Sequence, residues 1–273
     1  MPMITTKDGT SLYAKDWGSG RPIVLIHGWP LTADSWDDQA YALASAGFRV
    51  IAYDRRGFGR SSQPWTGYEY DTLADDLATV LQETGATDAT LVGFSMGGGE
   101  VARYMSRHDG RGVAKAALVS SVVPCLLKDE TNPDGADAAV FEQIKDGLKQ
   151  DRPSFLATFA KSFYGAGWIK SAVSDEVLAD FRRQALMAGL KGTLDCVDAF
   201  GKTDFRPDLP AFRVPTLIVH GTADTTVPID PTARAAARGI AQAQLIEYDG
   251  APHGLNVTHK DRLTEDLLTF ARG

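Results

Sequence analysis

Residues 91–99, Leu-Val-Gly-Phe-Ser-Met-Gly-Gly-Gly, constrain this chain more than any other stretch. They contain G-x-S-x-G centred on Ser95, after the apolar residues 89–92 and before a helix-forming stretch at 100–107. A strand, a sharp turn and a helix in that order push the serine to the top of a sheet, in a strained backbone with its hydroxyl exposed. Gly93 and Gly97 let the strand and helix close on that corner.

The rest of the chain reads as strands alternating with helices. Residues 4–6 and 11–16 flank Asp8 and Gly9, the pattern of a β-hairpin. Residues 23–26 are a short apolar run of the kind a parallel strand covered on both faces presents. A helix is expected at 35–46, a strand at 48–53, a helix at 72–84 ended by Gly85, and a strand at 113–119. This alternation predicts a mostly parallel sheet of about eight strands with helices on both faces.

After Ser121 the pattern changes. Residues 124–205 carry no strand-like run; helical periodicity is expected at 138–148, 154–163, 175–190 and 193–200. Strand character returns at 216–219, followed by a helix at 231–238, a strand at 244–248 and a last helix at 258–272. We therefore divide the chain into a core of residues 1–123 and 206–273 and a helical cap, 124–205, inserted after the sixth strand.

Four segments together resemble one family. They are His27-Gly28-Trp29-Pro30, residues 54–61 from Asp54 to Ser61, residues 93–100 around Ser95, and Ala251-Pro252-His253-Gly254. Spread over nearly the whole chain, they resemble the α/β-hydrolases, and within them the cofactor-free haloperoxidase and arylesterase group. The resemblance implies the α/β-hydrolase fold, ester chemistry without a cofactor or metal, and a homo-oligomer built on trimers.

A serine hydroxyl needs a base to take its proton, and the base needs a carboxylate to orient it. In the fold the resemblance implies, the chain order is serine, acid, histidine. Asp224 follows the strand at 216–219, whereas the other position a variant of the fold uses, residues 120–123, holds no carboxylate. His253 stands between the last strand and the last helix. Structural places are expected for the other four histidines: His27 in a loop, His108 ending a helix, His220 ending a strand and His259 beginning a helix.

The oxyanion of an acyl-transfer intermediate needs fixed donors. The backbone N–H of Met96, at a helix start, and that of Trp29 are expected to supply them. Pro30 shapes that loop but has no N–H to give. Trp29, Phe94 and Met96 are expected to line the acyl side of a pocket, with Leu126, Phe159, Phe163 and Phe200 contributed by the cap. The loop from Asp54 lacks the Lys-Ser/Thr ending of a phosphate loop and reads as a structural, salt-bridged turn.

These residues predict acyl transfer through Ser95 on a small or aromatic ester. The resemblance adds hydrogen peroxide as an alternative to water, giving a peracid. Small lactams are a second substrate class in the group, and some proteins of this fold are receptors that do not turn over their ligand. Serine at position 95 argues against the aspartate-dependent dehalogenases and epoxide hydrolases of the fold. The formal charge of −7 argues against nucleic acid or anionic membrane as a partner. No run of 18 apolar residues is present, and residues 1–10 lack the basic and apolar regions of a signal peptide. Cys125 and Cys196 match no metal or redox spacing, which fits a cytoplasmic setting with two structural thiols.

Overall fold

The structure, a computed structural model, describes residues 3–166 and 172–273. The first two residues of the stretch read for a leader, and residues 167–171 of the expected cap, lie outside the described residues.

Eight strands form one sheet: β1 (Met3–Thr5), β2 (Ser11–Gly18), β3 (Pro22–Ile26), β4 (Arg49–Tyr53), β5 (Ala89–Phe94), β6 (Val113–Val119), β7 (Thr216–Gly221) and β8 (Ala243–Tyr248). They lie in the order β1-β2-β4-β3-β5-β6-β7-β8. The β1–β2 and β2–β4 pairs are antiparallel, and every pair from β4 to β8 is parallel. Every residue of β5 and β7 is buried, which requires cover on both faces of the sheet.

Helices connect the strands: α1 (Asp37–Ser45), α2 (Tyr70–Thr84), α3 (Met96–Arg107), α4 (Ala138–Phe163), α5 (Asp175–Leu186), α6 (Leu190–Lys202), α7 (Ala235–Gly239), α8 (Leu255–Thr258) and α9 (Lys260–Arg272). Within the core, α1 packs on α9 and α2 on α3. Between β6 and β7 lie α4, α5 and α6, with α4 packed on α5 and α6.

Several boundaries differ from the sequence expectation. The two helices expected at 138–148 and 154–163 are present, joined within α4 across a kink at Asp151, whose φ of −155° and ψ of 85° are not helical. Pro153 has no N–H to offer the preceding turn, while the Asp151 carboxylate accepts from the Ser154 N–H at 3.0 Å and starts the second half. The helix expected at 175–190 stops at Leu186, and a turn separates it from α6. The helix expected at 231–238 is a wide turn over Asp230–Arg234 leading into the short α7. The last helix starts at Lys260, after the separate turn of α8.

The segment after β4 is held by ion pairs. Arg60 Nε donates to Asp54 Oδ2 at 2.7 Å, Arg56 Nε to Asp76 Oδ2 at 2.6 Å, and the buried Arg55 guanidinium pairs with Glu100 on α3. Buried charges persist only when paired in this way.

Candidate active site

Ser95 joins β5 to α3 with φ 53° and ψ −119°. That left-handed φ is costly for a residue with a Cβ and survives because the surroundings hold it. The Ser95 N–H donates to Val119 O of the neighbouring strand at 2.9 Å, while Ser95 O accepts from the Gly98 N–H at 3.0 Å. The corner is also too tight for side chains beside it. A Cβ on Gly93 would sit 2.5 Å from Gly97 O, and one on Gly97 would sit 2.5 Å from Ile26 O. The two flanking glycines of the motif are therefore required by the close approach of β5, α3 and β3.

Three parallel strands deliver the other parts at their carboxyl ends, where open α/β sheets place ligands. Trp29 follows β3, Asp224 follows β7 and His253 follows β8. The Ser95 hydroxyl donates to His253 Nε2 at 2.9 Å, and His253 Nδ1 donates to Asp224 Oδ2 at 2.7 Å. Asp224 Oδ1 accepts from the N–H groups of Thr226 at 2.9 Å and Val227 at 2.8 Å. Ser95, Asp224 and His253 are all buried. Burial works to raise the Asp224 carboxyl, but the His253 charge and the hydrogen bonds from His220 and His253 outweigh it and hold the carboxyl well below the usual carboxylate range.

The His253 ring is packed as well as hydrogen-bonded. Phe163 meets it edge-on with centroids 4.8 Å apart, and Phe94 lies against it at 5.2 Å. Such contacts leave the imidazole little freedom to turn away from the serine.

The backbone N–H of Met96 opens α3, so it has no partner within the helix and lies at the positive end of the helix dipole. Trp29 lies on the other side, in the turn closed by the Leu31 N–H donating to Gly28 O at 2.9 Å. His27, just before it, accepts the Arg55 N–H on Nε2 at 2.9 Å and donates from Nδ1 to Gly28 O at 2.9 Å. Burial first, and then the Arg55 charge, push the His27 imidazole well below its ordinary value, so it serves as a neutral strut. Arg55 also donates to His27 O at 2.6 Å while pairing with Glu100, which ties the Trp29 turn to α3.

A cavity of about 60 Å³ opens on Ser95 and His253. Its walls include Trp29, Leu126, Phe159 and Phe200, four of the residues expected there. Phe94, Met96 and Phe163 are corrections. They are fully buried and do not line the cavity, because Phe94 and Phe163 are turned onto His253 and Met96 into the core. The walls that the sequence reading missed are Val122, Ala136, Val140, Phe141, Ile144, Thr226 and Val227. Two signals for them were present: Thr226 and Val227 adjoin Asp224, and Val140 and Ile144 have the i,i+4 spacing of one helix face.

Apart from this cavity, both cysteines are free and buried, and burial pushes the Cys196 thiol up to about 12. Among the described residues no group of three or more His, Cys, Asp or Glu side chains is arranged to hold a metal ion, and no helix is long and apolar enough to cross a membrane.

A serine hydroxyl hydrogen-bonded to an oriented imidazole, at the mouth of an apolar cavity, is equipped for nucleophilic attack on an acyl carbon. Comparison with known proteins agrees with that chemistry. Residues 21–260 match the family described as the alpha/beta hydrolase fold. The chain is 44% identical over 272 residues to the non-heme chloroperoxidase CPO-A1 of Kitasatospora aureofaciens, covering 99% of both chains. It is 42% identical over 275 residues to the bifunctional esterase/perhydrolase DCH of Acinetobacter calcoaceticus, covering 100% of both. The crystal structure of a bromoperoxidase from Bacillus anthracis superposes with a TM-score of 0.95 at 46% identity, over 99% of each chain.

Proposed function

Because the chain belongs to the alpha/beta hydrolase family, we propose that it is a serine hydrolase of small or aromatic carboxylic esters, with a perhydrolase side activity. The observation that carries this reading is the unbroken chain from Ser95 Oγ through His253 to Asp224 at the mouth of an apolar cavity.

His253 Nε2 takes the Ser95 proton as Oγ bonds to the ester carbonyl carbon. The carbonyl oxygen becomes an oxyanion, held by the N–H groups of Met96 and Trp29. Asp224 steadies the imidazolium on its Nδ1 side. The carbon–oxygen bond to the alcohol then breaks, and His253 returns the proton to the leaving oxygen. An acyl ester remains on Ser95. Water, deprotonated by His253, attacks it and releases the acid. Hydrogen peroxide attacking in place of water releases a peracid, which can oxidise halide in solution. The bifunctional relative supports this second route.

Residues 124–205 act as a cap, supported by the cavity walls that α4 and α6 supply. The small cavity favours short acyl groups. The two free thiols support a reducing, cytoplasmic setting. A trimer-based homo-oligomer follows from the family resemblance.

The test is turnover of p-nitrophenyl acetate by wild type and Ser95→Ala, run beside a small lactam and beside peroxide with bromide. Ser95→Ala should lose about a thousandfold or more in kcat. A phosphonate should leave its mass on Ser95 in the wild type. Lactam turnover well above ester turnover would replace the ester reading with an amidase one. Ligand binding without Ser95-dependent turnover would replace it with a receptor.

A further inference from the structure

His220 is the one histidine of β7, a strand whose other residues are Thr216, Leu217, Ile218, Val219 and Gly221. Its side chain is completely buried. Nε2 lies 2.8 Å from Val227 O and 3.3 Å from Asp224 Oδ2. Both neighbours are acceptors, so the proton sits on Nε2 and is shared between them. Nδ1 is buried and has no hydrogen-bond partner among the described residues. The histidine therefore carries the cost of one stranded polar atom in order to offer its Nε2–H to Val227 O and Asp224. A local conflict of that kind is expected where function demands it.

The demand is visible in what Nε2 touches. Asp224 Oδ2 is the same oxygen that accepts from His253 Nδ1 at 2.7 Å. Val227 belongs to the turn whose N–H groups hold Asp224 Oδ1, and with Thr226 it forms a cavity wall. Two other charged groups lie near His220. Its register partner on β8 is Glu247, which is paired with Arg234 at 2.7 Å. Asp224 is thus the carboxylate within hydrogen-bonding reach of the His220 ring, and Glu247 is already engaged.

We propose that His220 is a positioning residue: its Nε2–H fixes the Asp224 carboxylate, and through it the His253 imidazole, and pins the 224–227 turn against the cavity. The proposal rests on the hydrolase reading of Ser95, Asp224 and His253. Four donors then surround the carboxylate: His253, His220 and the two main-chain N–H groups. With one removed, the carboxylate gains freedom to turn, and the charge on Oδ2 is less evenly shared among its remaining partners.

The experiment compares wild type, Ser95→Ala, His220→Leu, His220→Gln and His220→Asn on p-nitrophenyl acetate. Gln can place an N–H close to the Nε2 position, whereas the shorter Asn cannot. His220→Leu should lose about tenfold or more in kcat, with KM within about twofold. His220→Gln should recover most of the lost kcat, and His220→Asn should not. Wild-type kcat in His220→Leu would overturn the proposal. Should His220→Leu not fold, equal kcat in the Gln and Asn variants would overturn it. Wild type without Ser95-dependent turnover would sink the hydrolase reading itself, an outcome distinct from normal wild-type turnover with indifferent His220 variants.

Discussion

The Trp29 indole N–H donates to Thr193 O on α6 at 3.0 Å, so the residue that carries one candidate oxyanion donor is anchored in the helical insertion. The same ring meets Phe159 edge-on at 5.4 Å and Phe200 at 5.6 Å. The helical insertion and the loop after β3 therefore meet at the Trp29 side chain.

Trp29→Phe keeps the backbone N–H but removes the indole's bond to Thr193 O, which keeps its place in the helical ladder of α6. The cost should be about 1 kcal/mol of stability, seen as a melting temperature lower by about 2–4 °C. If the tether also sets the loop, kcat on p-nitrophenyl acetate should fall by about threefold to tenfold while KM changes less. An unchanged kcat would show that the loop holds its place without α6.

The Asp224 carboxyl is depressed in the folded state, which gives a definite sign to its pH dependence. A group of this kind contributes stability fully above its unfolded value, about 3.9, and loses that contribution as pH falls toward the folded value. The stability gap between wild type and Asp224→Asn should therefore be constant from neutral pH to about pH 5 and shrink below about pH 4, by denaturant titration. Because Asp224 stays ionised through mild acid, its own protonation should not limit kcat/KM there. Asp224→Asn should lower kcat by about 10⁴, through loss of the correct tautomer.

Ile144 stands on the cavity wall from α4, and the cavity holds about 60 Å³. Ile144→Ala should lengthen the accepted acyl chain. The ratio of kcat/KM for p-nitrophenyl hexanoate to that for the acetate should rise by about tenfold. A fixed ratio would place the acyl chain elsewhere.

The parts of the site that are local in sequence were legible, and the parts that depend on packing were not. The turn at Ser95 follows from its two glycines and the flanking strand and helix. Asp224 and His253 follow from their places after strands, and the structure brings both within hydrogen-bonding distance in the expected order. Phe163 went astray because helical spacing says that a face is buried but not what it is buried against; here that is His253. His220 looked like an ordinary strand end, since nothing in the chain announces that a residue four positions before Asp224 bends back onto it. The break in α4 was legible as two helices because Pro153 interrupts the periodicity, and the chain kinks there at Asp151.

That break at Asp151 divides labour along α4. The half before it presents Val140, Phe141 and Ile144 to the ligand space, while the half after it adds Phe159 to that wall and braces the imidazole with Phe163. Substitutions in the first half can retune which molecules enter while the base keeps its bracing. A lineage built on this arrangement is free to change its diet without relearning its chemistry.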